Sequence, residues 1–231
     1  MASESAFNKR LTAETNLDKV EGLLEHLNLP PKVIDFIRAN HRLIQVSVGV
    51  IVISVVVWSL YGSYREKITE EASSALSVAL QDTRGAQADE LSAVVDKYGN
   101  TPSALWARVE LAHLAMKKGS FDDASTRYQA ILSDVKTGNP LYPLIVFGLA
   151  QALEGAKKYE EAAVQYDLLK NINGFDQIAY VGRGRIEEAQ GNLDTAIAIY
   201  NDFLLSIGED PSKSQLRSEI DAKVSILKAR K

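Results

Sequence analysis

The sequence predicts an all-α protein in which one transmembrane helix precedes a solenoid of paired helices closed by a C-terminal capping helix. Three observations predict this. No Asp, Glu, Lys or Arg occurs from Leu43 to Tyr64. Beyond residue 104 a helix–turn–helix pattern recurs in three copies. From Ser212 onward, Leu216, Ile220, Val224 and Leu227 share one helical face. The chain therefore divides into a head (1–42), a span (43–64), a leading helix pair (65–104), a repeat region (105–211) and a cap (212–231).

In the head, Leu17, Val20, Leu24 and Leu27 fall at helical spacing, and the run stops at Asn28, Leu29, Pro30 and Pro31. This amphipathic piece suits a local helical hairpin, a partner or a membrane surface. Pro31 fits a first helical position, and Val33, Ile34 and Ile37 lead through Arg38 and Arg42 into the span without a break.

The span itself, LIQVSVGVIVISVVVWSLYGSY, reaches about 33 Å as a helix, enough for a hydrocarbon core of about 30 Å. Arg38, His41 and Arg42 stand before it and Arg65 and Lys67 after it, while Trp58, Tyr61 and Tyr64 sit where an aromatic belt meets the second interface. A buried strand or soluble core helix would be shorter or interrupted by charge. A cleaved signal peptide would start far nearer the N-terminus and end in an A-x-A site. Lys32, Arg38 and Arg42 on the head side outweigh Arg65 and Lys67, so the positive-inside bias places the head in the cytoplasm and the domain across the membrane.

Composition bounds the rest. The chain has 231 residues, 46% hydrophobic and 24% charged, which leaves one folded domain of ordinary size beside the span. Its net charge is −4, and since the head carries six basic and six acidic residues the excess lies beyond the span. Basic residues are interleaved with acids at helical spacing, so no surface is set up for nucleic acid. Cysteine is absent, which excludes disulfides and thiolate metal sites.

A leading pair is expected over 66–81 and 86–98, ending at Tyr98, Gly99, Asn100, Thr101 and Pro102. Then come LWARVELAHLAMKKGSFDDASTRYQAIL from Leu105, PLIVFGLAQALEGAKKYEEAAVQYDLLK from Pro143 and QIAYVGRGRIEEAQGNLDTAIAIYNDFL from Gln177. Aligned, they place small residues at Ala112, Ala150 and Gly184, then Phe121, Tyr159 and Leu193, then Ala124, Ala162 and Ala196, then Tyr128, Tyr166 and Tyr200. Two helices approach closely only where small side chains meet, as Ala112 would meet Ala124, and the aromatics fill the gap to the next pair. Gly119 and Gly191 suit the positive φ that ends a first helix, whereas Lys157 holds that place in the second copy. Asp122, Glu160 and Asp194 fit the first turn of each second helix. These copies resemble tetratricopeptide repeats, with starts 38 and 34 residues apart. Arg183 and Glu187 depart from that pattern at apolar positions, and no copy has the Trp expected early in its first helix.

No constellation for chemistry emerges. His26, His41 and His113 share no ligand spacing. Gly182, Arg183, Gly184 and Arg185 look like a glycine-rich phosphate loop, but they fall within a repeat's first helix, where Gly184 is the small packing residue. The pairs Glu160–Glu161 and Glu187–Glu188 point in different directions around their helices. The expectation is a non-enzyme with no cofactor, metal or small-molecule substrate.

What remains is a binding surface. The tetratricopeptide resemblance implies a concave groove lined by the first helix of each pair. Carried over by position, it comprises Trp106, Val109, His113 and Met116 in the first copy and Leu144, Phe147, Gln151 and Glu154 in the second. The third contributes Ile178, Val181, Arg185 and Glu188. Trp, Phe and Met would offer adaptable contact to an apolar peptide, with Arg185 and Glu188 as a polar end. The same residues could instead pack against their own neighbours.

The layout of short head, single span and repeat domain, with the Gly99-Asn100-Thr101-Pro102 segment, resembles the ancillary-subunit family of the Sec translocon (YfgM type) in Gram-negative bacteria. That resemblance implies a single-pass inner-membrane protein with a cytoplasmic N-terminus and a periplasmic domain. Its implied partners are translocon subunits, periplasmic chaperones and secretory clients. The alternative is a structural scaffold that assembles an envelope or cell-division complex through repeat-mediated contacts.

Overall fold

The computed structural model describes residues 30–82 and 86–230, which form two units, Met1–Arg65 and Glu66–Lys231. The amphipathic piece expected at Leu17–Leu27 lies outside the described residues.

In the first unit, Pro31 opens α1 (Pro31–Ala39) with its φ already set for a helix. The expected unbroken passage into the span is interrupted at Asn40, whose φ and ψ are −115° and 20°. Its backbone N–H and its side-chain Nδ2 both donate to the Phe36 carbonyl at 3.0 Å, and its own carbonyl accepts from the Ile44 N–H at 2.9 Å. Asn breaks the run because its side chain offers the backbone a local alternative to helical bonding. Then α2 (His41–Gln81) begins, and its apolar stretch is uncovered by the rest of the described protein. At about 1.5 Å per residue its 41 residues extend about 60 Å, twice a hydrocarbon core. It is the one described helix long and apolar enough to cross a membrane.

The second unit starts with the end of α2, where Ala72 and Ala79 turn inward and pack with Leu91, Val94 and Tyr98 of α3 (Gln87–Tyr98). Thr101 then starts α4 (Pro102–Lys117). Its Oγ1 accepts from the Ala104 N–H at 3.2 Å and donates to the Tyr98 carbonyl at 2.8 Å, so one buried hydroxyl closes α3 and opens α4. The same Gly-x-Thr-Pro segment that suggested a family thus has a plain structural task.

Three helix pairs follow in register with the repeats: α4 with α5 (Phe121–Asp134), α6 (Tyr142–Gly155) with α7 (Tyr159–Leu169), and α8 (Asp176–Ala189) with α9 (Leu193–Ile207). A short 3-10 turn at Pro211–Lys213 leads to α10 (Ser214–Ala229). Each helix packs on the next, as an antiparallel stack requires. The expected small positions Ala112, Ala150, Ala124, Ala162 and Ala196 are fully buried. The cap buries Ile220, Val224 and Leu227 against Tyr200, Phe203, Leu204 and Ile207, covering apolar surface that the last pair would otherwise expose.

All three first helices end alike. Gly119, Lys157 and Gly191 have φ of 74°, 61° and 81°. The next residue's N–H reaches back five residues in each case: Ser120 to Ala115, Lys158 to Leu153, Asn192 to Glu187, all at 2.9 Å. This Schellman geometry satisfies carbonyls that a helix end leaves orphaned. The departure at Lys157 is therefore one of residue type, not of backbone: neighbouring packing imposes the turn on a side chain that resists it. Replacing Lys157 by Gly is expected to stabilise the domain by about 0.5–1 kcal/mol, since relief of left-handed strain exceeds the entropy that glycine adds to the unfolded chain. Thermal unfolding of the two proteins, with the midpoint raised by about 2 °C in the variant, checks this.

Candidate protein-binding face

The twelve positions expected to line a groove all lie on α4, α6 and α8, but their environments differ. Val109 is 4% exposed and belongs to the central core, so it shapes the surface from beneath. Met116, Phe147 and Ile178 are half-buried and pack on that core, and Val181 packs on the C-terminal one. Trp106 and Gln151 are half-buried; His113 and Leu144 are exposed.

Glu154, Arg185 and Glu188 are drawn into two polar clusters. Arg185 Nε and Nη2 clamp Glu154 Oε1 and Oε2 at 2.5 and 2.7 Å. Tyr166 Oη donates to Glu154 Oε2 at 2.8 Å and accepts from Arg185 Nη2 at 3.0 Å. One pair further on, Tyr200 Oη donates to Glu188 Oε1 at 2.6 Å, and Lys223 of the cap sits 3.1 Å from the same oxygen and 5.1 Å from the Tyr200 ring centre. A carboxylate near the end of a first helix, a tyrosine twelve residues on and a cation from the following helix recur in both places. In the first copy the corresponding residues are Met116, Tyr128 and Gln151, so the face gains its ion pairs only further along the stack. Sequence reading placed the tyrosines as gap-fillers and the tail as a cap; it missed their polar work and Lys223 altogether. The spacing Glu-x11-Tyr, present in two copies, was the available signal.

The tyrosines are anchored by glycines. A Cβ added at Gly148 would stand 2.4 Å from the Tyr128 ring, and one at Gly182 would stand 2.3 Å from Tyr166. Each ring thus enters the next pair's first helix where no side chain exists. At Gly184 a Cβ would meet Tyr200, also at 2.3 Å. The Gly-Arg-Gly-Arg stretch is accordingly a packing device, with both glycines occupied by rings. Arg183 and Glu187, which departed from the apolar pattern, pair with each other at 3.3 Å, and Arg183 also reaches Asp167 of α7 at 3.3 Å.

Burial keeps these phenols protonated. It is the leading cause at all three, pushing Tyr128 up to about 12 with help from Glu110, and raising Tyr166 and Tyr200 further with the carboxylates of Glu154 and Glu188. Among the described residues no cluster of three or more His, Cys, Asp or Glu side chains is placed to hold a metal ion.

Stacked antiparallel pairs, small residues at their crossings and a face formed by first helices define a helical-repeat solenoid, a scaffold for protein–protein interaction. The match to the tetratricopeptide repeat-like domain family extends over residues 35–227, and the protein belongs to that family. Among solved structures, a tetratricopeptide repeat protein from Parabacteroides merdae ATCC 43184 is similar at 19% identity over 71% of this chain and 60% of its own, with a TM-score of 0.49. The chain therefore spans about 60% of that protein's length. The nearly identical TPR-like repeats of a proposed kinesin light chain from Podosopora anserina are similar at 16% identity over 70% of this chain and 97% of theirs, again with a TM-score of 0.49. No curated protein matches the sequence.

Proposed function

We propose that the protein is a non-enzymatic, membrane-anchored binding module of the bacterial inner membrane, with its N-terminus in the cytoplasm and its solenoid in the periplasm. There it serves as a chaperone-like ancillary factor at the Sec translocon, engaging emerging envelope proteins and periplasmic chaperones. The observation that carries the reading is the union, in one short chain, of an uncovered apolar helix and a repeat solenoid. A span fixes such a module at high effective concentration beside membrane partners. The apolar end of the face, with Trp106, Met116, Leu144 and Phe147 half-buried or exposed, suits unfolded apolar segments better than a charged terminus, because Arg185 is already committed to Glu154.

Crosslinking in intact membranes followed by pull-down tests the assignment: translocon subunits and emerging secretory proteins are expected, and their absence beside one dominant stable partner would overturn it. Changing Trp106 and Phe147 together to Ala is expected to reduce client crosslinking at least about tenfold, as loss of aromatic anchors does, while helicity persists. Unchanged crosslinking would rule out this face. Protease added to spheroplasts should remove residues 65–231; their survival would reverse the topology.

The scaffold reading has its own support. Val164 and Leu168 lie one turn apart on α7 and are 57% and 45% exposed, and Leu205 on α9 is 80% exposed, all on second helices. Such residues suit a fixed partner on the outer surface. Replacing them by Ser would then abolish the stable complex, whereas the Trp106 and Phe147 change would not.

A further inference from the structure

We propose that α1 is an interfacial helix, lying in the headgroup region of the membrane that α2 enters, with Val33, Phe36 and Ile37 against lipid. The inference rests on reading α2 as a span. At 100° per residue, Val33, Phe36 and Ile37 fall within an arc of about 100°, Asp35 and Ala39 lie on the other side, and Lys32 borders the arc, where its stem can lie along lipid with its charge in water. Most of this face is open: Phe36 is 61% exposed and Val33 39%, while Ile37 is half-buried. Only Asn40 separates α1 from the helix that carries the span.

Depth decides the geometry. From Asn40 to Tyr61 a helix advances about 31 Å, and a hydrocarbon core is about 30 Å thick. With Trp58, Tyr61 and Tyr64 at one interface, Asn40 falls at the other. There the helix breaks, and there the Phe36 carbonyl collects two donors from Asn40, which satisfies one carbonyl at the end of α1 in a region poor in water. Continuing straight, α1 would carry Phe36 into the aqueous phase; turned into the surface plane, it keeps its apolar arc in lipid and Asp35 in water. Lys32, His41 and Arg42 give this junction the basic character that suits anionic headgroups.

The absence of cysteine makes the test direct. Single cysteines at positions 32, 33, 35, 36, 37 and 39 of the full chain are spin-labelled and reconstituted in vesicles of phosphatidylethanolamine and phosphatidylglycerol. Collisions with oxygen and with a water-soluble nickel chelate, present on both faces, are then compared. The oxygen-to-nickel ratio is expected to be about fivefold higher at 33, 36 and 37 than at 35 and 39, with helical periodicity. Equal, water-like ratios at all six positions would overturn the proposal. Equal, lipid-like ratios would do so too, placing all of α1 within the hydrocarbon core, and so would low collision rates with both probes, which mean burial in protein. A label at position 50 separates this outcome from failure of the span itself, which alone would make position 50 water-like.

Discussion

Gly182→Ala is expected to destabilise the solenoid by about 1–3 kcal/mol, although alanine is the better helix former by about 1 kcal/mol. The added methyl would lie 2.3 Å from the Tyr166 ring, which is itself fully buried and bonded through its hydroxyl to Glu154 and Arg185. The ring cannot retreat without breaking that cluster, so α7 and α8 must separate. For a domain of this size the unfolding midpoint should fall by about 3–10 °C. Gly148→Ala should behave likewise through Tyr128, while Gly138→Ala, with nothing within 4 Å, should change little. Circular dichroism during heating checks all three; equal midpoints would mean that the rings are not locked.

Alkaline pH should produce a still larger loss. Tyr128, Tyr166 and Tyr200 are neutral in the fold well above the value of about 10 at which unfolded tyrosine ionises. Above pH 10 the unfolded chain releases protons that the folded chain retains, so stability is fully present below that pH and declines as pH rises. For Tyr128 the decline levels off near pH 12. Each tyrosine can contribute up to about 1.4 kcal/mol per pH unit within its window. Denaturant unfolding between pH 9 and 12 should show the slope, and Tyr200→Phe, which cannot ionise, should reduce it. A slope unchanged in that variant would mean that the Tyr200 phenol is already open to water.

The helices, their small crossing residues and the cap were legible because the information is local: a 3.6-residue period, alanines at aligned positions and apolar residues on one face of the tail. Local reading also fixed Gly119 and Gly191. It could not foresee that Lys157 would take the same φ, because the demand comes from how the next helix packs. Nor could it foresee the break at Asn40, where a residue tolerated in helices satisfies its neighbours by local bonds. The polar clusters were harder still. Glu154 and Arg185 are 31 residues apart and become partners only once α6 and α8 are stacked. Position alone put both on the candidate face, but not that they would occupy each other.

The fit of Tyr128 into Gly148 and of Tyr166 into Gly182 bears on how such a protein can change over generations. The helix pair is the visible repeat, yet the matched surfaces belong to neighbouring pairs, each supplying a ring forward and a gap backward. Gly148 and Gly182 hold the same place in the second and third copies, but the first copy has Glu110 there, so duplicating the first pair at its loops would set Tyr128 against a helix without its gap. A segment cut within a pair, from before one tyrosine to beyond the following glycine, would carry lock and key together. The unit that can be inherited intact is therefore out of phase with the unit the eye sees.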